Sequence, residues 1–166
     1  MEKEIRAGVL TISTKGFLGE RRDESGEIAS RMLEGEGISV VQREVVSDDR
    51  DRIAETLVEW ADQYRLALIL TSGGTGLSPN DVTPQAMEGV IDYHVPGMAE
   101  AMRAESLKVT PHAMISRAMV GVRGSCLIIN LPGSPAGVKE NLFVVLPALK
   151  HALSKLGGDT SDCGRH

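Results

Sequence analysis

Hydrophobic residues recur along this chain in two alternating patterns, which together predict strands separated by helices. Short runs rich in Val, Ile and Leu predict strands at residues 5–13, 38–46, 67–72, 118–122 and 125–131. Apolar residues three or four positions apart predict helices from about residue 28 to 35, over 53–64, over 83–92, from 96 to about 109, and from 135 toward 156. A charged loop is expected at 14–24 and a short turn or helix at 111–117. Pro147 is expected to break or kink the last helix, because proline cannot donate the interior hydrogen bond.

The alternation of strands with helix-length segments indicates an α/β protein whose mostly parallel sheet is covered by helices on both faces. No repeat or linker divides the chain, so we predict one domain over residues 1–157 and a loose, polar tail over 158–166. In such folds, ligands bind beyond the carboxyl ends of the strands. Four loops meet this condition, namely those after Ser13, Val46, Ser72 and Leu131.

The amino-acid composition argues against nucleic-acid and membrane partners. Of 166 residues, 42% are hydrophobic and 25% charged, as in ordinary soluble domains. Aromatic residues make up only 3%, and the net charge of −5 comes without a basic stripe, so we expect no nucleic-acid partner. No apolar run approaches the roughly 20 residues that span a bilayer, so we expect no membrane partner. Two isolated cysteines, Cys126 and Cys163, and the lack of a signal-peptide pattern predict a cytoplasmic protein.

The loop after the strand at 67–72 carries the strongest chemical signal. Gly73, Gly74 and Gly76 allow close approach of the backbone to a ligand, and the helix start that follows suits phosphate. Asp81, which lies between the glycines and the helix start, suggests a bound metal ion, because a cation allows a carboxylate and a phosphate to lie close together. The spacing matches neither a Walker A loop nor a dinucleotide fingerprint. The structural alternative is a tight turn in which Asp81 makes a local bond and Thr83 caps the helix.

A second loop, at residues 130–135, also lies between a strand and a helix. Ser134 is a good N-cap and Pro135 suits the first helical position. Two capped helix starts at neighbouring strand ends would point backbone donors into one crevice, which could hold a polyphosphate.

Acids in a third loop could complete a metal site. Asp48 or Asp49 could bind Mg²⁺ together with Asp81, although an acid here is more often a helix cap. The signal for Lys15 as an anion ligand is weak. Arg117, Arg123 and Lys139 could also meet phosphate, whereas His94, His112, His151 and His166 lack ligand spacing.

Taken together, these motifs resemble the MoaB/Mog family of molybdenum cofactor biosynthesis proteins. The resemblance rests on Thr71-Ser72-Gly73-Gly74-Thr75-Gly76, on Asn80-Asp81-Val82-Thr83-Pro84, and on Asn130-Leu131-Pro132-Gly133-Ser134-Pro135. It implies a three-layer α/β/α sandwich and a molybdopterin adenylyltransferase. In that reaction the terminal phosphate of molybdopterin attacks the α-phosphate of Mg-ATP, and pyrophosphate leaves. The resemblance also implies a homo-oligomer, either trimer or hexamer, that hands its product to a molybdate-inserting protein.

The resemblance implies roles for individual residues. The family's two important acids, which are catalytic and bind Mg²⁺, fall on Asp81 and Asp48, with Asp49 as the adjacent alternative. Where many relatives have an Asp after the first strand's serine, this chain has Thr14 followed by Lys15. The implied ligands of molybdopterin and nucleotide are Gly73, Gly74, Thr75, Gly76, Ser78, Asn130, Pro132, Gly133 and Ser134.

Two other functions compete with the enzyme. The chain could be a module that binds molybdopterin without chemistry, since one fold can serve several functions. It could also be a structural oligomer whose glycine loops are only turns. The two acids favour the enzyme, because a passive binder has less need of both. An apolar face around Pro96, Met98 and Met102 is a plausible subunit contact.

Overall fold

A computed structural model describes residues 3–164 of the chain and contains a six-stranded sheet with the order β2-β1-β3-β6-β5-β4. The strands are β1 (Arg6–Ile12), β2 (Ser39–Val46), β3 (Leu68–Ser72), β4 (Tyr93–His94), β5 (Val120–Arg123) and β6 (Cys126–Leu131). The helices are α1 (Thr14–Phe17), α2 (Glu24–Gly35), α3 (Arg50–Val58), α4 (Thr83–Glu88), α5 (Pro96–Leu107) and α6 (Pro135–Leu156). A π-helical turn, Glu59–Gln63, extends α3, and a 3₁₀ helix spans Pro111–Ile115.

The sheet is mostly parallel, as predicted, and has an antiparallel edge. Strand β1 pairs in parallel with β2 and β3, and β3 pairs in parallel with β6. Strand β5 is the reversed strand, antiparallel to both β4 and β6, because a two-residue turn, Gly124-Ser125, joins β5 directly to β6. Gly124 has a φ of 58°, which suits such a hairpin turn.

Helices cover both faces of the sheet and bury two apolar cores. Helices α2, α5 and α6 pack on one face, where Leu33, Met102 and Leu142 meet strand residues such as Val9. Helices α3 and α4 pack on the other, where Leu57 joins the second core. The predicted three-layer α/β/α fold is therefore confirmed.

Pro147 does not break α6, one of the two outcomes predicted for it, since the helix is continuous from Pro135 to Leu156. Pro147 is exposed, so the Phe143 carbonyl that loses its donor lies on the solvent side, where water can satisfy it. The opposite side is held by buried Leu142, Leu149 and Leu153. Packing along one face thus outweighs the local preference of proline.

Other expectations also need correction. Residues 14–24 contain α1 and the first residue of α2, so they are not a simple loop. Met102 is only 2% exposed, because it packs into the core, and it cannot form the subunit contact suggested above. Strand β4 falls just after the helix expected at 83–92, which ends early at Glu88.

No helix within residues 3–164 is both long enough and apolar enough to cross a membrane. The boundary expected after residue 157 falls just past α6, and residues 157–164 form no helix or strand. The last two residues of the predicted tail, including His166, lie outside the described part of the chain.

Candidate active site

A cavity of about 970 Å³ opens at the carboxyl edge of the parallel strands. The sheet register explains its position, since Ile12 pairs with Val46, Thr11 with Ser72, and Ser72 with Leu131. All four strands therefore end at one level, and all four predicted loops contribute to the walls. The lining comprises residues 11–16, 21–25, 48, 72–74, 80–81 and 133–135.

The first glycines of the loop after β3 are required by backbone conformation and by space. Gly73 and Gly74 have φ values of 105° and 69°, which favour glycine. A Cβ on Gly73 would lie 2.3 Å from the Ile12 carbonyl oxygen. The backbone N–H of Gly73 donates to the Leu131 carbonyl at 3.0 Å, which ties the loop to β6.

Thr83 anchors this loop and does not cap the helix, which is the role that the structural alternative gave it. The residue before α4 is Val82, which makes no capping hydrogen bond. The hydroxyl of Thr83 donates to the Gly73 carbonyl at 2.9 Å, and its N–H donates to the Gly74 carbonyl at 3.1 Å. Because Thr83 is fully buried, both bonds fix the floor of the loop.

Asp81 reaches the cavity from a turn that it helps to form. One carboxylate oxygen, Oδ2, accepts from the Ser78 N–H at 3.0 Å, and the Asp81 N–H donates to the Ser78 carbonyl at 2.9 Å. A Cβ on Gly76 would lie 2.8 Å from Oδ2, so the absence of a side chain there leaves room for the carboxylate. The local bond expected of Asp81 and its place on the cavity wall thus occur together.

The structure separates Asp48 from Asp49. Asp48 lines the cavity, and its Oδ2 accepts from the N–H and hydroxyl of Thr14 at 3.1 and 2.8 Å. Asp49 caps α3, because its carboxylate accepts from the Arg52 N–H at 2.8 Å. Thr14 therefore joins the loops after β1 and β2 and orients the carboxylate that faces the cavity.

Of the two helix starts expected to hold phosphate, those of α4 and α6, the start of α6 faces the cavity. Ser134 caps α6 by accepting from the Gly137 N–H at 3.1 Å, and Gly133 to Pro135 line the cavity. The first turn of this 22-residue helix carries no acid, so its amino end favours anions. By contrast, α4 contributes no lining residue, and Asp23 occupies the amino end of α2.

Five of the predicted ligands lie outside the cavity lining: Thr75, Gly76, Ser78, Asn130 and Pro132. Asn130 is fully buried and bonds within the sheet, where its amide donates to the Thr71 hydroxyl at 2.9 Å. The Pro132 carbonyl accepts from the Ser72 hydroxyl at 2.9 Å. These residues support the two loops, while Gly73, Gly74, Gly133 and Ser134 face the cavity.

Residues 21–25 also line the cavity, although the sequence predicted only a charged loop at 14–24. Asp23 accepts from the Thr11 hydroxyl at 2.9 Å and from Arg43 at 3.2 Å, and the Ser25 hydroxyl donates to the Gly133 carbonyl at 2.8 Å. The available signal was their position after β1, at the same edge as the other loops. Arg22 bonds to Glu27 beside them, and this hydrogen bond holds the pKa of the Glu27 carboxyl below its usual value.

The basic residues considered for phosphate binding have other partners or places. Arg117 donates to backbone carbonyls of the glycine loop. Arg123 pairs with Asp62 at 2.7 Å near the amino end of β6. Lys139 lies in a separate groove beside α6. Lys15 does line the cavity, as do Arg21 and Arg22.

The donors at the cavity fit Mg²⁺ bound jointly with phosphate. Asp48 and Asp81 line the same space, and within residues 3–164 no group bonds Oδ1 of either carboxylate. Mg²⁺ is typically held by one or two carboxylates together with substrate phosphates and water. Over the same residues, no three His, Cys, Asp or Glu side chains form a preassembled metal cluster.

Comparison with known proteins gives consistent matches along the chain. Residues 8–151 match the family model described as "Probable molybdopterin binding domain". A molybdopterin adenylyltransferase of Helicobacter pylori is 38% identical over 157 residues, which cover 93% of this chain and 89% of that protein. Gephyrin of Dictyostelium discoideum is 41% identical over 162 residues, which cover 92% of this chain and 22% of gephyrin.

Solved structures show the same fold. The crystal structure of the molybdopterin biosynthesis enzyme MoaB from Thermus thermophilus superposes with a TM-score of 0.88 at 49% identity. The match covers 93% of this chain and 98% of the other. The resemblance to the MoaB/Mog family expected from the motifs is thereby confirmed.

Proposed function

The chain belongs to the molybdopterin-binding domain family of molybdenum cofactor biosynthesis proteins, and we propose that it is a molybdopterin adenylyltransferase. An oxygen of the terminal phosphate of molybdopterin attacks the α-phosphorus of Mg-ATP. The bond from the α-phosphorus to the oxygen bridging to the β-phosphate breaks, and pyrophosphate leaves. The observation that carries this proposal is one cavity that receives two separate carboxylates and the amino end of a long helix whose first turn has no acidic residue.

The size and walls of the cavity support two large anionic substrates. Its volume of about 970 Å³ lies near the upper end of the roughly 300–1,000 Å³ typical of small-molecule sites. Gly73 and Gly74 present backbone to the cavity, and Gly133, which leads into the start of α6, lies directly beside Gly73. Backbone amides and a helix dipole can hold phosphate without side-chain charge.

Asp48 and Asp81 would hold Mg²⁺ against the phosphates. When bound, the ion neutralises negative charge on the reacting phosphate oxygens. The chain itself contributes positioning. Thr14 orients Asp48, and the Ser78 turn orients Asp81, so that each carboxylate is held by hydrogen bonding, from the loop after β1 for Asp48 and from its own turn for Asp81. Holding both substrates in reactive alignment supplies much of the acceleration in a transfer of this kind.

We propose that the assembly is a homo-oligomer, a trimer or a hexamer, located in the cytoplasm, and that the adenylylated product passes to a molybdate-inserting protein. Apolar side chains that could be covered by a second subunit include Val109, Met114 and Phe143, which are 75%, 71% and 73% exposed. Light scattering after size-exclusion chromatography would measure the subunit number, and a monomeric mass at micromolar concentration would contradict this part of the proposal.

The second candidate is a module that binds molybdopterin without turnover. The match to gephyrin favours it, because there a region similar to 92% of this chain is only 22% of a longer protein. Both functions predict binding, and only the enzyme predicts release of pyrophosphate.

Incubation with molybdopterin and Mg-ATP distinguishes the two functions when pyrophosphate and adenylyl-molybdopterin are both quantified. We expect turnover by the wild type and none by Asp81→Asn. Two adjacent acids provide a matched pair, since Asp48→Asn should lose turnover while Asp49→Asn retains it, because asparagine also caps helices. Binding of molybdopterin without pyrophosphate release would favour the module instead.

A further inference from the structure

Arg117 makes an unusual set of bonds to the loop that carries Asp81. It lies between the 3₁₀ helix Pro111–Ile115 and β5, and it is half-buried. Its Nε–H donates to the Gly76 carbonyl at 2.8 Å, and Nη2 donates to the Asp81 carbonyl at 2.8 Å. Its backbone N–H donates to the Thr75 carbonyl, also at 2.8 Å.

These bonds are the loop's hydrogen-bonded attachment to the rest of the fold. Residues 75–81 form no helix or strand, and their other hydrogen bonds join Ser78 to Asp81 and Asn80 within the segment. Across the described residues 3–164, every hydrogen bond that enters this segment from outside comes from Arg117. Without Arg117, the turn that carries the Asp81 carboxylate loses every one of these hydrogen bonds to the rest of the fold.

Arg117 is itself held in place from α5. Nη1 of Arg103 donates to the Ala118 carbonyl at 2.6 Å and to the Ser116 carbonyl at 3.4 Å. These carbonyls flank Arg117 on both sides. A continuous set of contacts therefore runs from α5 through Arg117 to Asp81.

We propose that Arg117 is a positioning residue that sets the location of the Asp81 carboxylate and does not itself bind substrate. It is absent from the cavity lining, and its donors are directed to carbonyls and to the Gln85 side chain at 3.3 Å. A guanidinium group presents several donors in one rigid plane, which lets it bridge the Gly76 and Asp81 carbonyls together. A lysine ammonium is a single charged group on a flexible chain, and it would not fix the positions of both carbonyls at once. This role rests on the proposed adenylyl transfer, because it assigns Asp81 a part in that site.

The test compares Arg117→Ala and Arg117→Lys with a matched control, Arg123→Ala. Arg123 also donates to a backbone carbonyl, that of Val90, at 2.8 Å, but it lies near the amino end of β6, away from the cavity. We expect both Arg117 variants to lose on the order of 100-fold in kcat, as for a displacement of about 1 Å at a reacting group. We also expect them to need more Mg²⁺ for half-maximal activity, whereas Arg123→Ala keeps both values.

Two further readouts separate positioning from general destabilisation. A guanidinium salt, added below the concentration that unfolds the protein, should partly restore turnover to Arg117→Ala and should not affect Arg123→Ala. Amide hydrogen exchange, measured without substrates, should accelerate over residues 75–81 in Arg117→Ala and stay unchanged there in Arg123→Ala. Unchanged exchange over this segment would overturn the proposal, as would equal activity losses in the two alanine variants.

The outcomes also distinguish this inference from the proposed function. If the wild type shows no adenylyl transfer while hydrogen exchange over residues 75–81 still accelerates in Arg117→Ala, the proposed activity is wrong, but the conclusion that Arg117 holds the loop remains supported. If the wild type is active and Arg117→Ala retains full turnover and normal Mg²⁺ dependence, the positioning role is wrong and the activity stands.

Discussion

Replacing Gly73 with alanine tests whether the end of β1 sets the position of the glycine loop. The φ of 105° at Gly73 lies where side chains are disfavoured, and an added Cβ would sit 2.3 Å from the Ile12 carbonyl oxygen. Because carbon and oxygen normally approach to roughly 3.3 Å, the loop or β1 must retreat by about 1 Å. Gly37 offers a control with a similar φ of 77° and no atom within 4 Å of an added Cβ.

The two substitutions should differ in how much they lower the free energy of unfolding. Backbone strain alone, as in Gly37→Ala, is expected to lower the free energy of unfolding by roughly 1 kcal/mol. Gly73→Ala adds an overpacking term of about 1–3 kcal/mol, so its total loss should be about 3 kcal/mol. A displacement of about 1 Å at the floor of the cavity should also reduce kcat/KM for adenylyl transfer on the order of 100-fold.

Urea unfolding, monitored by tryptophan fluorescence, measures the change in the free energy of unfolding. Trp60 is the sole tryptophan of the chain and is only 1% exposed in the second core, so it reports on loss of the packed state. All variants are compared at one protein concentration, and turnover is measured well below every unfolding midpoint. Equal stability losses in the two variants, or wild-type turnover by Gly73→Ala, would refute the argument from contact geometry.

Four further predictions address separate features. Burial raises the pKa of the Cys126 thiol to about 12. A maleimide at pH near 8 should therefore label only the exposed Cys163 in the native protein, and Cys126 should react only after urea unfolds the chain. Two labels on the native protein would contradict this prediction. Thr14→Val removes the hydroxyl that donates to Asp48 at 2.8 Å and should lower turnover roughly 10-fold, as expected for one hydrogen bond of about 1.4 kcal/mol, whereas Thr14→Ser should retain it. Hydrogen bonds from the backbone and side chain of Ser161 lower the pKa of Asp159 from 3.8 to about 2, so the turn after α6 should persist on acidification below 3.8 and be lost as pH falls through about 2. A carboxyl NMR titration checks this, and a midpoint near the ordinary value would disprove it. Removing Mg²⁺ with EDTA should weaken ATP binding at least ~10-fold in calorimetry, and equal affinities would argue against the joint metal site.

The parts of the fold that the sequence predicted are those with long apolar periodicity. Strands β1 and β3 are buried on both faces, so their residues are apolar almost without a break, and helix α6 buries one continuous face, so its apolar positions recur along its whole length. Strand β4 escaped prediction because it has two residues, both exposed, and is defined by pairing with β5. A break at Pro147, one of its two predicted outcomes, was wrong because a local rule ignored the packed face on the other side of α6.

The candidate site, like the fold, has parts that could be predicted from the sequence and parts that could not. The glycine loop and the acids could be assigned to one edge, because parallel strands bring their carboxyl ends together. The sequence could not choose between Asp48 and Asp49, since the choice depends on which residue caps α3 and which meets Thr14 from another loop. The role of Arg117 depends on bonds to residues 36 and 41 positions away, which leave no local pattern.

The balance of charge at the cavity explains why a cation would matter there. Three basic side chains, Lys15, Arg21 and Arg22, and four acidic ones, Asp23, Glu24, Asp48 and Asp81, line it, so side chains alone do not favour a polyphosphate. Arg22 is further engaged by Glu27 at 2.6 Å. The amino end of α6 contributes roughly half a positive charge, which falls short of the charge on a triphosphate. Two carboxylates in such a place repel the bare nucleotide and attract its Mg²⁺ complex. Under the proposed function, we expect these acids to select the metal-bound form of ATP, and the ratio of nucleotide affinities with and without Mg²⁺ measures that selection.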